Sequence, residues 1–167
     1  SLCLTSLTTA RQGEHPPGCA EVLTADAKQL MAKPVALGPA SGKLHQEVST
    51  KSADAQAYYD QGFAWLASYT WVEAARSFEA AIRLDAELAM AHMGLAKAYT
   101  GAEMSAEAAS HLKKAEELAA RKGKVTDKES KWIALAVVQA EAVAASGKES
   151  SGKHDAYKKQ IDELIKS

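Results

Sequence analysis

Four side chains in the middle of the chain carry donors for a soft metal: Met90, His92, Met93 and Met104 offer thioether and imidazole groups of the kind copper takes. A looser set, Cys3, His15, Cys19 and His45, adds thiols. Neither set closes. The Cys/His set has no CxxC-like spacing, and His92 stands 34 residues after Tyr58, at a core aromatic position of an internal repeat. The reading is therefore no metal and no other cofactor. Acid–base chemistry fares no better, because Glu103, Glu107, Glu116 and Glu117 alternate with Lys113 and Lys114 as a solvated helix face does. GxSxG, HExxH, a Gly-rich phosphate loop and CxxCH are all absent. The chain reads as a non-enzyme, with no catalytic residue assigned.

Cys3 and Cys19 remain. In an exported chain they could close a 15-residue loop, worth about 3 kcal/mol in the chain-entropy model. A bridge between subunits, or two free thiols, fits the sequence equally well. The chain lacks Asn altogether, so it has no N-linked glycosylation site; Ser and Thr clusters leave O-linked sugar open.

The 167 residues are one domain's worth. Lys plus Arg at 20 against Asp plus Glu at 21 leaves a formal charge of -1, which argues against nucleic acid as a partner, since phosphate binding needs a positive field. The most apolar run, Trp132 to Ala140, is about half the ~20 residues a membrane span needs, so no span is expected. The numbered chain starts at Ser1, and Thr8 and Ala10 are placed like a small-residue cleavage site. The expectation is an exported protein, periplasmic or extracellular, whose signal peptide lay upstream of Ser1.

Two regions must position these groups. Residues 1–51 form an arm broken at Pro16-Pro17-Gly18 and again from Pro34 to Gly42. It is expected to be mostly extended, with one short helix near 20–32. Residues 52–167 read as three helical hairpins, at about 52–85, 86–122 and 126–167. Ser52 or Asp54 caps the first helix, Gly101 is expected to end the third, and Gly123 follows the fourth. Thr126 or Asp127 caps the fifth helix, with Glu129 in its first turn. A polar loop from Lys148 to Lys153 is then expected before a last helix over about His154 to Lys166.

The first two hairpins repeat each other 34 residues apart: Gly62 maps to Ala96, Trp65 to Tyr99, Ala74 to Ala108, Phe78 to Leu112, Ala81 to Ala115 and Leu84 to Leu118. The third slips by six residues and sets Trp132 against His92. Small residues let helices approach closely, and neither hairpin can bury both apolar faces alone, so units stack. This period resembles that of the tetratricopeptide repeat (TPR) family. The implied fold class is all-α: a short TPR-type α-solenoid of about three hairpins with a long, mostly irregular N-terminal arm. Departures from the family pattern occur at Tyr58, Gln61 and His92. More narrowly, Val48-Ser49-Thr50-Lys51, Ala55 to Phe63, Glu73 to Phe78, Ala89 to His92 and, more weakly, Thr126 to Glu129 resemble exported bacterial TPR proteins of poorly defined function.

TPR solenoids bind peptides on the concave face lined by the first helix of each hairpin. The resemblance puts Tyr59, Phe63 and Leu66, then Met90, Met93 and Lys97, on that face. Tyr59 and Phe63 stand where carboxylate-gripping members carry Lys and Asn, so no terminal-carboxylate clamp is expected. An exposed stripe of aromatics and Met needs covering. Its cover is an apolar segment of another protein, the chain's own Ala20 to Val48, or that segment from a neighbouring copy. Two functions follow. The first is an interaction module gripping an apolar segment. The second is a self-assembling structural subunit, forming an oligomer or filament, whose arm residues Leu2, Leu4 and Leu7 dock on neighbouring copies.

Overall fold

The computed structural model describes residues 27–38, 44–144 and 148–166, and among them the chain is all α with no strand. A short helix α1 at residues 27–31 precedes α2 (Ala53–Ala67), α3 (Trp71–Leu84), α4 (Ala89–Gly101), α5 (Ser105–Ala119), α6 (Asp127–Ala144) and α7 (Lys148–Lys166). The helices pack in successive pairs, α2 on α3, α4 on α5 and α6 on α7. Contacts of α3 with α4 and of α5 with α6 join the pairs, while α4 also touches both α2 and α6. No described helix is long and apolar enough to cross a membrane.

Local chemistry sets the helix starts. Ser52 Oγ accepts from Ala55 N at 3.1 Å and caps α2, with Asp54 in the first turn facing the helix dipole. At α6 the expected cap is a reciprocal box: Glu129 N donates to Thr126 Oγ1 at 3.2 Å and Thr126 N donates to Glu129 Oε2 at 2.7 Å.

The helix ends repeat with the sequence. At the end of α2, Thr70 N donates to Trp65 O at 3.0 Å and Tyr69 N to Leu66 O at 3.1 Å. At the end of α4, Met104 N donates to Tyr99 O at 2.9 Å and Glu103 N to Thr100 O at 3.1 Å. Both are Schellman turns, and both place a non-glycine residue in the left-handed region, Tyr69 at φ 58° and Glu103 at φ 61°.

Gly101 is the last residue of α4, as expected, but the left-handed position that closes the turn falls to Glu103 and not to the glycine. A Cβ on Gly101 would lie 2.4 Å from the Trp71 indole, so glycine there lets Trp71 pack over the helix end. Gly123, by contrast, takes φ 76° in the turn after α5. Two boundaries also move. The third helix begins at Ala89 rather than near Ala86, because Asp85 Oδ1 accepts from Glu87 N at 3.1 Å and closes a local turn first. The segment expected as a polar loop is helical from Lys148. Once a helix is nucleated, each added residue closes another hydrogen bond, and the ~1 kcal/mol cost of Gly152 does not stop it.

The core centres on α4, where ten of thirteen residues are buried. Phe78, fully buried on α3, wedges between α2 and α4; a Cβ on Gly62 or Gly94 would come within 2.9 Å or 2.5 Å of its ring. Burying such a ring contributes roughly 2–3 kcal/mol.

The arm wraps this core through residues that break the repeat. Gln61, 9% exposed, donates to Ala36 O and to Ser77 Oγ and accepts from Gly38 N at 2.8 Å, while Tyr58 OH donates to Val35 O at 3.2 Å. Farther along, Asp60 Oδ1 accepts from Gln46 N at 3.1 Å. Glu129, only 3% exposed, also accepts from Ser49 N at 2.7 Å and from the Ser49 hydroxyl. One carboxylate thus caps α6 and pins the arm to it, Oε1 accepting from Ser49 N and Oε2 from the Ser49 hydroxyl and from Thr126 N and Oγ1.

Candidate binding cleft

The face formed by α2, α4 and α6 holds a cleft of about 160 Å³. On α2, Tyr59, Phe63 and Leu66 recur at helical spacing, and on α4 Met90, Met93 and Lys97 do the same, so each set shares one helix face. All six expected residues line this one cleft, joined by Gln46 from the arm, Phe78, Gly94, and Lys128 and Trp132 of α6.

The stripe is not exposed as expected. Tyr59, Met90 and Met93 are buried, at 2%, 1% and 5% exposure, and Phe63, Leu66 and Lys97 are half-buried. Close approach of α2 and α4 over Phe78 closes most of it, and the Tyr59 ring lies 6.3 Å from Phe63 and 5.7 Å from Phe78. The arm contributes too, since Gln46 Oε1 accepts from Tyr59 OH at 3.2 Å. Burial, with Asp60 and Glu129 nearby, pushes the Tyr59 phenol well above its usual range. A cavity of about 150 Å³ admits a benzene ring. The opening left here therefore suits one apolar side chain, not a whole segment.

The charge at the cleft is one-sided. Among the described residues, Lys97 and Lys128 are its charged groups and no carboxylate lines it. Lys97 has no hydrogen bond or ion pair among the described residues, and burial alone holds its ammonium below the usual lysine range. Its Nζ is not sealed off; the one sealed side-chain polar atom without a partner among the described residues is Trp132 Nε1.

The other candidates separate. Met90 and Met93 face the cleft, whereas His92 turns to α5, its ring 5.4 Å from His111, which lies 5.6 Å from Tyr99. His92 Nε2 donates to Ala86 O at 3.2 Å, leaving Nδ1 to accept from His111 Nδ1 at 3.1 Å. Burial lowers both imidazoles, and burial with Glu79 pushes Tyr99 up to about 12. His45 pairs with Asp60 at 2.7 Å, which raises it. Among the described residues no three His, Cys, Asp or Glu side chains group as a metal site would. Leu2, Leu4, Leu7, Cys3, His15 and Cys19 lie outside the described residues.

Sequence reasoning missed five lining residues. Gly94 was legible in principle, as a glycine inside a helix beside a bulky partner. Trp132 was set in the core by analogy with His92, but Ile133, 1% exposed, takes the buried place and Trp132 turns to the cleft margin. Phe78 enters the sequence only as the repeat position matched to Leu112, which says nothing of its face on the cleft. Gln46 and Lys128 carry no local signal.

The fold and the cleft together define an all-α protein of paired helices with an apolar, cation-flanked opening on one face. Compared with protein-family models, with curated proteins and with solved structures, the chain finds no match.

Proposed function

We propose that this chain is a short TPR-type α-solenoid, a non-enzymatic interaction module whose cleft seats one apolar side chain of a partner protein. The observation that carries the reading is the convergence of Tyr59, Phe63, Leu66, Met90, Met93 and Lys97 on one opening between the first helices of the pairs. Supporting the solenoid are the paired packing, the contacts of α4 with α2 and α6, and the recurrence of the same turn after α2 and α4. Apolar clefts with a few placed polar groups are where side chains of partners anchor.

The test uses fluorescent, end-blocked peptides carrying a single Phe, Leu or Met. Leu66→Glu replaces part of the apolar wall with a carboxylate that competes for the cleft lysines, and is expected to weaken binding of a neutral apolar peptide about tenfold or more. Val143→Glu, at a site 73% exposed and away from the lining, is expected to leave binding unchanged. Equal binding by wild type and Leu66→Glu would contradict the reading.

A further inference from the structure

Lys97 and Lys128 give the cleft a cationic rim that no carboxylate among the described residues answers. Long lysine stems cover apolar surface while the ammonium seeks water or an anion. Here Lys97 is held half-buried beside Met90 and Met93, at a cost in solvation that no acceptor offsets among the described residues. Lys128 stands on α6 across the opening, in the first turn beside the buried capping box. A neutral apolar anchor would leave both ammonium groups unanswered. Resting on the cleft reading above, we propose that the partner is an acidic peptide segment, in which an Asp or Glu side chain adjoins the apolar anchor and is held by Lys97 and Lys128.

Charge complementarity selects the carboxylate, and volume selects the peptide. An opening of about 160 Å³ takes one ring or branched side chain, whereas small-molecule sites run to roughly 300–1,000 Å³, so a long acyl chain does not fit. The lining also favours an internal carboxylate over a chain terminus. Among the described residues it holds no Arg or Asn that could fork a terminal carboxylate, only two lysines, which act as point charges and suit a mobile side-chain acid.

The experiment compares blocked peptides with Phe flanked by Glu, their Gln counterparts, the Gln peptide with a free C-terminus, and laurate. Each is titrated against wild type, Lys97→Met and Lys128→Gln by calorimetry, with helicity checked by circular dichroism. A charge-assisted contact predicts that the Glu peptide binds about tenfold more tightly than the Gln peptide. Lys97→Met should bring the affinity of the Glu peptide down towards that of the Gln peptide, removing most of the preference. Lys128→Gln, at an exposed position, should halve the preference or more without touching the fold. Equal binding of Glu and Gln peptides overturns the acidic-partner inference and leaves the apolar cleft standing. Preference for the free C-terminus, or for laurate, overturns it in favour of that ligand. No binding of any peptide overturns both.

Discussion

Helices α4 and α6 face each other across the cleft, yet they are made differently. Ten of the thirteen residues of α4 are buried, and its cleft face, Met90 and Met93, is the same surface that holds the core. Of the eighteen residues of α6, Glu129, Ile133, Ala136 and Ala142 are buried, while Lys128 is exposed and Trp132 half-buried at the cleft. A helix apolar all round belongs to the interior. The difference teaches that one wall of the opening is fold and the other is adjustable. Changes on the α4 side should cost stability, and changes on the α6 side should cost binding.

Breaking the rigid wall gives the largest effect. Phe78→Ala removes the ring that wedges α2 against α4 and should cost about 3–5 kcal/mol in urea unfolding, well above Trp132→Ala on the other wall. Equal losses would erase the distinction between the walls. Filling the wedge from the α4 side comes next. Gly94→Ala forces a methyl to within 2.5 Å of the Phe78 ring and should cost about 1–3 kcal/mol. Gly152→Ala meets nothing within 4 Å and should stabilise by up to about 1 kcal/mol.

The adjustable wall is tied down at one buried point. Glu129→Ala leaves the Ser49 and Thr126 amides without an acceptor and should cost about 1–3 kcal/mol. Amide exchange at Ser49 should quicken while Phe78 stays protected. A uniform rise in exchange would mean that the arm is not a separable latch.

Acid should loosen the α4 side first. His92 and His111 are held below their ordinary value of 6.5 by burial, with Lys114 adding to the effect on His92 while Glu79 opposes it there and Glu107 opposes it at His111. The unfolded chain then binds more protons than the folded one just below pH 6.5, so stability should fall as pH drops through that range. His45, raised by the exposed Asp60 pair, contributes in the opposite sense: its small share is present below pH 6.5 and fades as pH rises through its raised value. Urea midpoints at pH 7.5 and 5.5 should differ in wild type and differ less in His92→Gln; an unchanged difference would remove His92 as the cause. The smallest effect belongs to the turns. Glu103→Gly relieves a left-handed residue at φ 61° but adds unfolded-state freedom, for a net gain of about 0.5 kcal/mol.

Much of the helix order was legible because local signals carried it. The Ser52 cap and the Thr126–Glu129 box rest on contacts three residues apart, and the 34-residue recurrence is visible as a spacing in the sequence itself. The cleft face was legible on α2 and α4 for the same reason, as a spacing along one helix. Its burial was not, because that depends on how closely Gly62 and Gly94 let two helices approach Phe78. The departures from the repeat at Tyr58 and Gln61 have no reason among their neighbours in sequence. They hold the arm through Val35, Ala36 and Gly38, partners at 23 to 25 residues' separation that no window along the sequence connects. His92, the third departure, answers to His111 across a helix pair. Where a residue broke the pattern, its reason lay in a distant segment.

The chain contains four methionines: Met90 and Met93 line the cleft, and Met31 and Met104 are buried without lining it. Methyl-labelled methionine therefore supplies probe and control in one sample. A blocked Phe–Glu peptide seated in the cleft should give intermolecular NOEs from its ring protons to the Met90 and Met93 methyls, with none to Met31 or Met104. A bound peptide whose ring shows no NOE to Met90 or Met93 would contradict the cleft as the binding site.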